Sequence, residues 1–282
     1  MSKKRLNRSL GGNIAVSLML FIMGLFTALP IYFSIINAFK PLSELYLFPP
    51  RFIVYNPTIN NFVDIISLQS QATVPTERYI FNTVFVSIAT TALYVVLASM
   101  AAYPLAKHEF PMKNVIHKLI VFAILFSTQV TALPQYILMA KTGIINTYMA
   151  LIFPALGGSF GVFLVMQFIG SFPNDVIEAA RIDGCGELGI FFKIVFPSVK
   201  PAWVTLAILT FISQWNATGS QFIFDESLKT LPTMMNQLTS AGIDRAGVSA
   251  AISVILMLPP MISFIFSQSK VVETMAYSGI KE

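Results

Sequence analysis

Charge is scarce in this 282-residue chain. Asp, Glu, Lys and Arg make up 11% of it, against about 25% in ordinary soluble domains. So little charge cannot cover the surface of a soluble protein of this size. The 55% of hydrophobic residues and the mean hydropathy of +0.73 exclude a disordered chain. The net charge of +5 rests on few charges of either sign, which excludes a soluble nucleic-acid binder. A single cysteine, Cys185, rules out a disulfide framework and a cysteine-based metal cluster. The two histidines, His108 and His117, have no cysteine or carboxylate cluster beside them to build a zinc site, and both read as solvated loop residues. No glycine is followed directly by lysine, so the phosphate-cradling G-x-x-x-x-G-K-[ST] pattern is missing. No serine comes with a histidine and acid in a plausible catalytic set. These absences predict a non-catalytic chain that binds no metal or cofactor of its own.

What the sequence has is long apolar runs. A helix needs about 20 apolar residues to cross roughly 30 Å of hydrocarbon. Six stretches meet that length: 14–39, 80–106, one between Lys118 and Lys141, one between Lys141 and Asp175, one between Lys200 and Asp225, and 248–269. Every Asp, Glu, Lys and Arg falls outside these cores, and a charge at mid-membrane usually marks an ion or proton path. The expected class is therefore an all-α integral membrane protein with six transmembrane helices. The run after Lys3, Lys4, Arg5 and Arg8 is longer than a signal-peptide core and no Ala-x-Ala site follows it, so it reads as a retained first helix.

Orientation follows from the basic residues, which concentrate in cytoplasmic loops. With the N-terminus inside, the inner segments carry 12 Lys and Arg and the outer segments 6. Both termini are thus expected in the cytoplasm, 1–13 as an N-terminal segment and 271–282 as a tail. The whole chain, 1–282, reads as one membrane domain, with 80–270 as its core. Residues 40–79, rich in Pro, Asn and aromatics, are expected to form an ordered extracytoplasmic cap. Residues 224–247 form a second outer loop. Pro104, Pro134, Pro154 and Pro259-Pro260 are expected to interrupt or end helices. Gly157-Gly158-Ser159-Phe160-Gly161 reads as a close-packing site within a span.

The inner segment 172–197 is longer than a connector requires. Pro173 and Asn174-Asp175 supply a helix start. Val176, Ile177, Ala180 and Ile182 give that helix an apolar side, and Gly184 ends it in the left-handed conformation. A second apolar helix follows over about 188–196, closed near Pro197. The result is a helix-turn-helix with Glu178, Arg181 and Asp183 outward. It suits docking onto a soluble partner, and equally an interfacial elbow that only routes the chain.

Glu178-Ala179-Ala180, three residues, Gly184, nine residues, then Ile194-Val195-Phe196-Pro197 resembles the EAA signature of permease subunits in binding-protein-dependent ABC importers. Phe196 stands where leucine is usual. The stretches Gln129–Tyr136, Gly143–Tyr148, Gly161–Leu164, Gln167-Phe168, Trp215-Asn216 and the tail Ser278–Lys281 are similar to the carbohydrate branch, the MalG-like subunits. The resemblance implies that 172–197 is a cytoplasmic coupling loop: Glu178, Ala179 and Ala180 would form the docking helix, with Asp183 and Gly184 at its turn. It implies ATP and Mg on two partner ATPase subunits, a homologous second permease, an extracytoplasmic solute-binding protein, and a multi-pass location in a prokaryotic-type cytoplasmic membrane, among membrane lipid and without nucleic acid. The loop 224–247, with Asp225, Glu226 and Lys229, would face the binding protein.

A polar solute needs hydrogen-bonding side chains within the spans. Gln129, Gln135, Gln214 and Asn216 are the candidates for a substrate path, with Asn82, Gln167, Tyr94, Tyr136 and Trp215 also in view. Sugars suit such mixtures, since hydroxyls need donors and acceptors while the ring face stacks on aromatics. Interhelical bonding and interfacial anchoring explain the same residue types. The expected function is a sugar or oligosaccharide permease. Import of a non-sugar solute by the same kind of assembly, or an ion-coupled secondary transporter, are the alternatives.

Overall fold

The computed structural model describes residues 10–69, 74–126, 128–239 and 245–279. Among these, every regular element is helical. The elements run α1 Leu10–Ala38, α2 Leu42–Leu45, α3 Asn60–Gln69, α4 Thr76–Lys107, α5 Lys113–Ile124, α6 Thr128–Lys141, α7 Tyr148–Leu156 and α8 Ser159–Gly170. Then come α9 Asn174–Ile182, α10 Glu187–Ile190, a π-helical stretch Phe191–Val195, α11 Phe196–Ser198, α12 Lys200–Trp215, a 3-10 turn Glu226–Leu228, α13 Leu231–Thr239 and α14 Ala246–Gly279.

Three helices are individually long and apolar enough to span a bilayer: Gly11–Ala38 in α1, α4, and Ala246–Gln268 in α14. Two bent pairs raise the number to five, α7 with α8 at 44° and Glu187–Ser198 with α12 at 80°. The expected fourth span is therefore a broken one, and its glycine-rich stretch is the break. The expected third span is divided between α5 and α6, on either side of residue 127, which lies outside the described residues. At 12 and 14 residues, neither reaches the length of a span alone. The fifth stops short of Asp225, because Asn216 Nδ2 donates to the Ile212 carbonyl at 2.9 Å and closes α12.

Pro134 and Pro259-Pro260 differ from expectation, lying inside helices that continue past them, whereas Pro154 stands two residues before the end of α7 beside the break and Pro104 three residues before the end of α4. Helix α14 continues through Gly279, so the described part of the expected tail is helical. Ile280 to Glu282 lie outside the described residues.

The chain divides into two compact units, residues 1–71 with 237–257, and residues 72–236 with 258–282. In the first, Asn61 Nδ2 donates to the carbonyls of Ala38 (2.8 Å) and Lys40 (2.9 Å), which docks α3 under the end of α1. The described part of 40–79 is ordered, as its composition suggests. In the second unit α4 is central. Its buried side carries Tyr94, Val95, Ala98, Ala102, Tyr103 and Leu105, packed with residues of α8, α9 and α12 and of the helical run 187–198. The small residues Ala98 and Ala102 allow close helix approach, as expected where helices pack in lipid.

Candidate functional site

The helix-turn-helix is present. α9 starts after Pro173 and ends at Asp183. Gly184 adopts φ +81°, and the turn is closed by Gly184 N donating to Arg181 O (3.0 Å) and Cys185 N to Ala180 O (2.9 Å). Burial corrects the expected apolar side. Ile177 (3% exposed) and Ala180 (8%) face the chain's own core, but Val176 is exposed at 42% and Ile182 at 85%. With 100° between successive residues, the face opposite Ile177 and Ala180 holds Asp175, Ala179 and Ile182, with Glu178 and Asp183 on its flanks. All five are exposed. Of the three residues in Glu178-Ala179-Ala180, then, the third is committed to internal packing and the first two are available.

The end of α4 grips both helices of this loop. Lys107 Nζ donates to the carbonyls of Gly170 (3.2 Å) and Phe172 (2.5 Å) and to Asn174 Oδ1 (2.8 Å), closing the electronegative end of α8 and holding the start of α9. On the other side Glu187 is a hub. Its Oε1 accepts from Arg181 Nε at 2.7 Å and its Oε2 from the Tyr103 hydroxyl at 2.9 Å, with His108 Nε2 at 3.2 Å. The Glu187 carboxylate raises Arg181 above its ordinary value through that hydrogen bond. His108 is therefore not a solvated loop residue: its ring packs edge-on to Tyr103 at 5.2 Å. Cys185 is a half-buried free thiol packed at the edge of the core.

After Glu187 the helix changes pitch. Phe196 N donates to Phe191 O, an i→i−5 bond, and this places Pro197, which has no N–H and would crowd the carbonyl four residues back, just beyond the widened turn. Trp203 then fixes the 80° corner: its indole N–H donates to Phe196 O (3.0 Å) and its ring stacks on Phe196 at 5.3 Å.

A cavity of about 480 Å³ opens among α4, α6, α7, α8, α12 and the chain that follows α12. That is within the roughly 300–1,000 Å³ of small-molecule sites. Of the expected path residues, Gln135 and Gln214 line it, together with Tyr94, Thr131, Thr210 and Ser213. The side-chain amides of Gln135 and Gln214 make no hydrogen bond among the described residues. Asn216 does not line it and instead caps α12. Gln129 is the second residue of α6, and its side chain lies outside the described residues. Gln167 is exposed away from the cavity, and Tyr136 and Trp215 are not among its walls. Asn82 is used up structurally: it accepts from Tyr148 Oη (2.6 Å) and donates to the carbonyls of Ser227 and Lys229 (2.9 Å each). The wall hydroxyls of Thr131, Thr210 and Ser213 were missed because only a three-dimensional wall separates them from other hydroxyls in apolar helices.

Tyr94 links the cavity to the broken span. Its hydroxyl donates to Gly158 O (2.6 Å) and accepts from Gly161 N (2.8 Å), capping the start of α8. A Cβ at Gly158 or Gly161 would stand 2.5 Å from that oxygen, so the close packing expected of these glycines is made with Tyr94.

The charges of the loop after α12 make bonds within the chain. Asp225 Oδ1 accepts from Ser227 N (2.9 Å), and this bond lowers its pKa. Glu226 accepts from the Tyr79 hydroxyl (2.9 Å) and from Lys229 Nζ (2.5 Å). Residues 240–244 of the same loop lie outside the described residues.

The model of the family described as the binding-protein-dependent transport system inner membrane component matches residues 13–275. The arabinooligosaccharides transport system permease protein AraQ of Halalkalibacterium halodurans is 30% identical over 262 residues, covering 89% of this chain and 90% of that protein. The sulfoquinovosyl glycerol transport system permease protein SmoH of Agrobacterium fabrum is 29% identical over 272 residues, covering 95% and 92%. Among solved structures, a chain of a bacterial ABC transporter involved in importing the acidic polysaccharide alginate superposes with a TM-score of 0.76, at 19% identity, over 94% of this chain and 99% of that one.

Proposed function

This chain belongs to the family of binding-protein-dependent transport system inner membrane components, and on that premise we propose that it is the permease subunit of an ATP-driven importer for a sugar or oligosaccharide. The observation that carries the reading is the loop 172–198. It turns an exposed face (Asp175, Ala179, Ile182) outward while Lys107 and Glu187 bind its other side to α4. A face so held is suited to receive a push from a soluble subunit and pass it on.

The route of that push follows from the bonds. Motion of α9 reaches α4 at Lys107 and Tyr103. Tyr94, about 14 Å from Tyr103 and about 20 Å from Lys107 along the same helix at 1.5 Å per residue, joins α4 to the break between α7 and α8 beside the cavity. A shift of the loop would thereby change the cavity wall. Gln135 and Gln214 offer amide donors and acceptors to hydroxyls, and Tyr94 stands in the same wall. The named substrates of the relatives, arabinooligosaccharides and sulfoquinovosyl glycerol, support a carbohydrate. In this reading ATP and Mg are bound by two partner ATPase subunits. A second permease completes the membrane path, and an extracytoplasmic binding protein delivers solute. A related alginate transporter has been solved with its periplasmic protein.

The test is purification of the chain from its native membranes in mild detergent, with mass spectrometry of what accompanies it. An ATPase and a second permease are expected, and sugars can then be screened on any copurifying binding protein. Recovery of the chain alone, again after crosslinking, together with uptake abolished by ionophore at constant ATP, would sink the proposal in favour of an ion-coupled transporter.

A further inference from the structure

From the end of α1 to α3 the chain buries two charges, Lys40 and Glu44, and turns the aromatics of 46–55 outward. Lys40 is 2% exposed and Glu44 6%. Lys40 Nζ donates to Asn37 Oδ1 (3.0 Å) and to the Arg51 carbonyl (2.6 Å). The Glu44 carboxylate accepts from the backbone N–H of Tyr55 (3.2 Å) and Asn56 (2.9 Å) and from Asn56 Nδ2 (3.0 Å). These bonds fix a loop whose outward residues are Phe48 (95% exposed), Phe52 (57%), Ile53 (65%) and Tyr55 (64%). A loop made for water has the opposite arrangement, and a contiguous apolar patch marks an interaction surface.

Geometry along α1 gives the level of this loop. About 20 helical residues cover the roughly 30 Å of hydrocarbon, so a span entering at Ile14 leaves it near Phe33. The loop folds back to that depth: Tyr32 Oη donates to the Phe52 carbonyl at 2.6 Å, and the rings of Phe33 and Phe52 are 6.1 Å apart. Phe52 thus sits at the exit level of the span instead of above it, at the boundary where aromatic rings concentrate. The Arg51 guanidinium lies over the Tyr55 ring at 4.8 Å, the arrangement of a cation at the edge of an apolar layer.

We propose that residues 46–55 are an interfacial anchor: Phe48, Phe52, Ile53 and Tyr55 insert into the lipid bilayer where α1 ends, with the Arg51 guanidinium at the level of the lipid phosphates. The surface is distinct from the loop and cavity of the transport reading and does not depend on them. Its role is to fix how deep α1 sits, since the loop is bonded to that helix at Tyr32 and by Thr58 N to Phe39 O (2.8 Å).

The test uses the full chain with its copurifying partners in liposomes of phosphatidylethanolamine and phosphatidylglycerol. Nitroxide labels are placed through Phe48→Cys and, separately, Ile53→Cys in a Cys185→Ser background, with Asp64→Cys as the aqueous reference. Both loop positions are exposed, so neither change removes packing. Collision with dissolved oxygen and with a water-soluble nickel chelate is read from power saturation. The anchor predicts an oxygen-to-nickel ratio severalfold above that of the Asp64 label at both sites. A ratio equal to the Asp64 label at either site would overturn it by placing the loop in water. Exclusion of both reagents would overturn it by placing the loop under a protein partner.

Discussion

The loop hub and the cavity both carry polar side chains, yet they are built on opposite terms. At the hub both carboxylate oxygens of Glu187 are taken, Oε1 by Arg181 and Oε2 by Tyr103, and each donor direction of Lys107 that the structure records ends on an oxygen. In the cavity the amides of Gln135 and Gln214 are left without a side-chain hydrogen bond among the described residues. A joint that carries displacement has to be stiff, and stiffness comes from saturated, charge-assisted bonds. A passage for a hydrated solute has to keep bonding capacity in reserve and release what it binds.

The most severe test of that contrast is Glu187→Ala. It removes one acceptor group from Arg181 and Tyr103 at once. A hydrogen bond to a charged group is worth about 1.5–3 kcal/mol, and the half-exposure of Glu187 puts it at the lower end. Uptake by the reconstituted assembly is expected to fall roughly tenfold, since about 1.4 kcal/mol is a factor of ten, while membrane content by immunoblot stays constant. Unchanged uptake would mean that the hub is not a mechanical joint. Tyr94→Phe comes next. It strips the Gly158 carbonyl and the Gly161 N–H of their partner, at about 1–3 kcal/mol, and should lower the detergent melting temperature as well as uptake. If only uptake fell, the hydroxyl would belong to the solute path and not to the helix cap.

Gly184→Leu sharpens the comparison from the loop side. A Cβ there meets nothing within 4 Å, so the penalty is that of the left-handed backbone alone, about 1–2 kcal/mol. ATP hydrolysis by the assembly should persist with reduced uptake per ATP, and a normal ratio of the two would refute the role of this turn. The smallest effect is expected for Gln214→Ala. Loss of one neutral hydrogen bond, about 0.5–1.5 kcal/mol, should raise the half-saturating solute concentration two- to tenfold and leave melting unchanged. A melting shift without a change in saturation would show the amide to be structural.

The sequence discloses some of this more readily than the rest. α1, α4 and α14 are legible because an uninterrupted apolar run of their length has few other uses. The loop 172–197 is legible because Pro173, Gly184 and Pro197 act through local sterics. The 44° break is hidden, since hydropathy does not register a bend and the same glycines serve close packing. Glu187 as a hub is invisible for another reason: Tyr103 lies 84 residues away in sequence, and nothing local distinguishes Glu187 from a solvated carboxylate. His108 fails in the same way, its setting being made by Tyr103 and Glu187. Gln135 and Gln214 could be picked by residue type, but Asn216 could not be separated from them, because a helix cap and a cavity wall draw on the same amide chemistry.

The widened turn at Phe191–Val195 sets an angular phase. Holding one residue more than an α-helical turn, it offsets what comes before it by about 100° around the helix axis relative to Phe196–Ser198. Ile190 and Phe191 thereby point into the core while α12 keeps Gln214 toward the cavity. Losing one residue from this stretch would let the helix close to ordinary pitch with i→i−4 bonds, yet index the loop to the wrong face of the bundle. The segment works as a keyway, fixing the rotational setting at which Ile190 and Phe191 face the core.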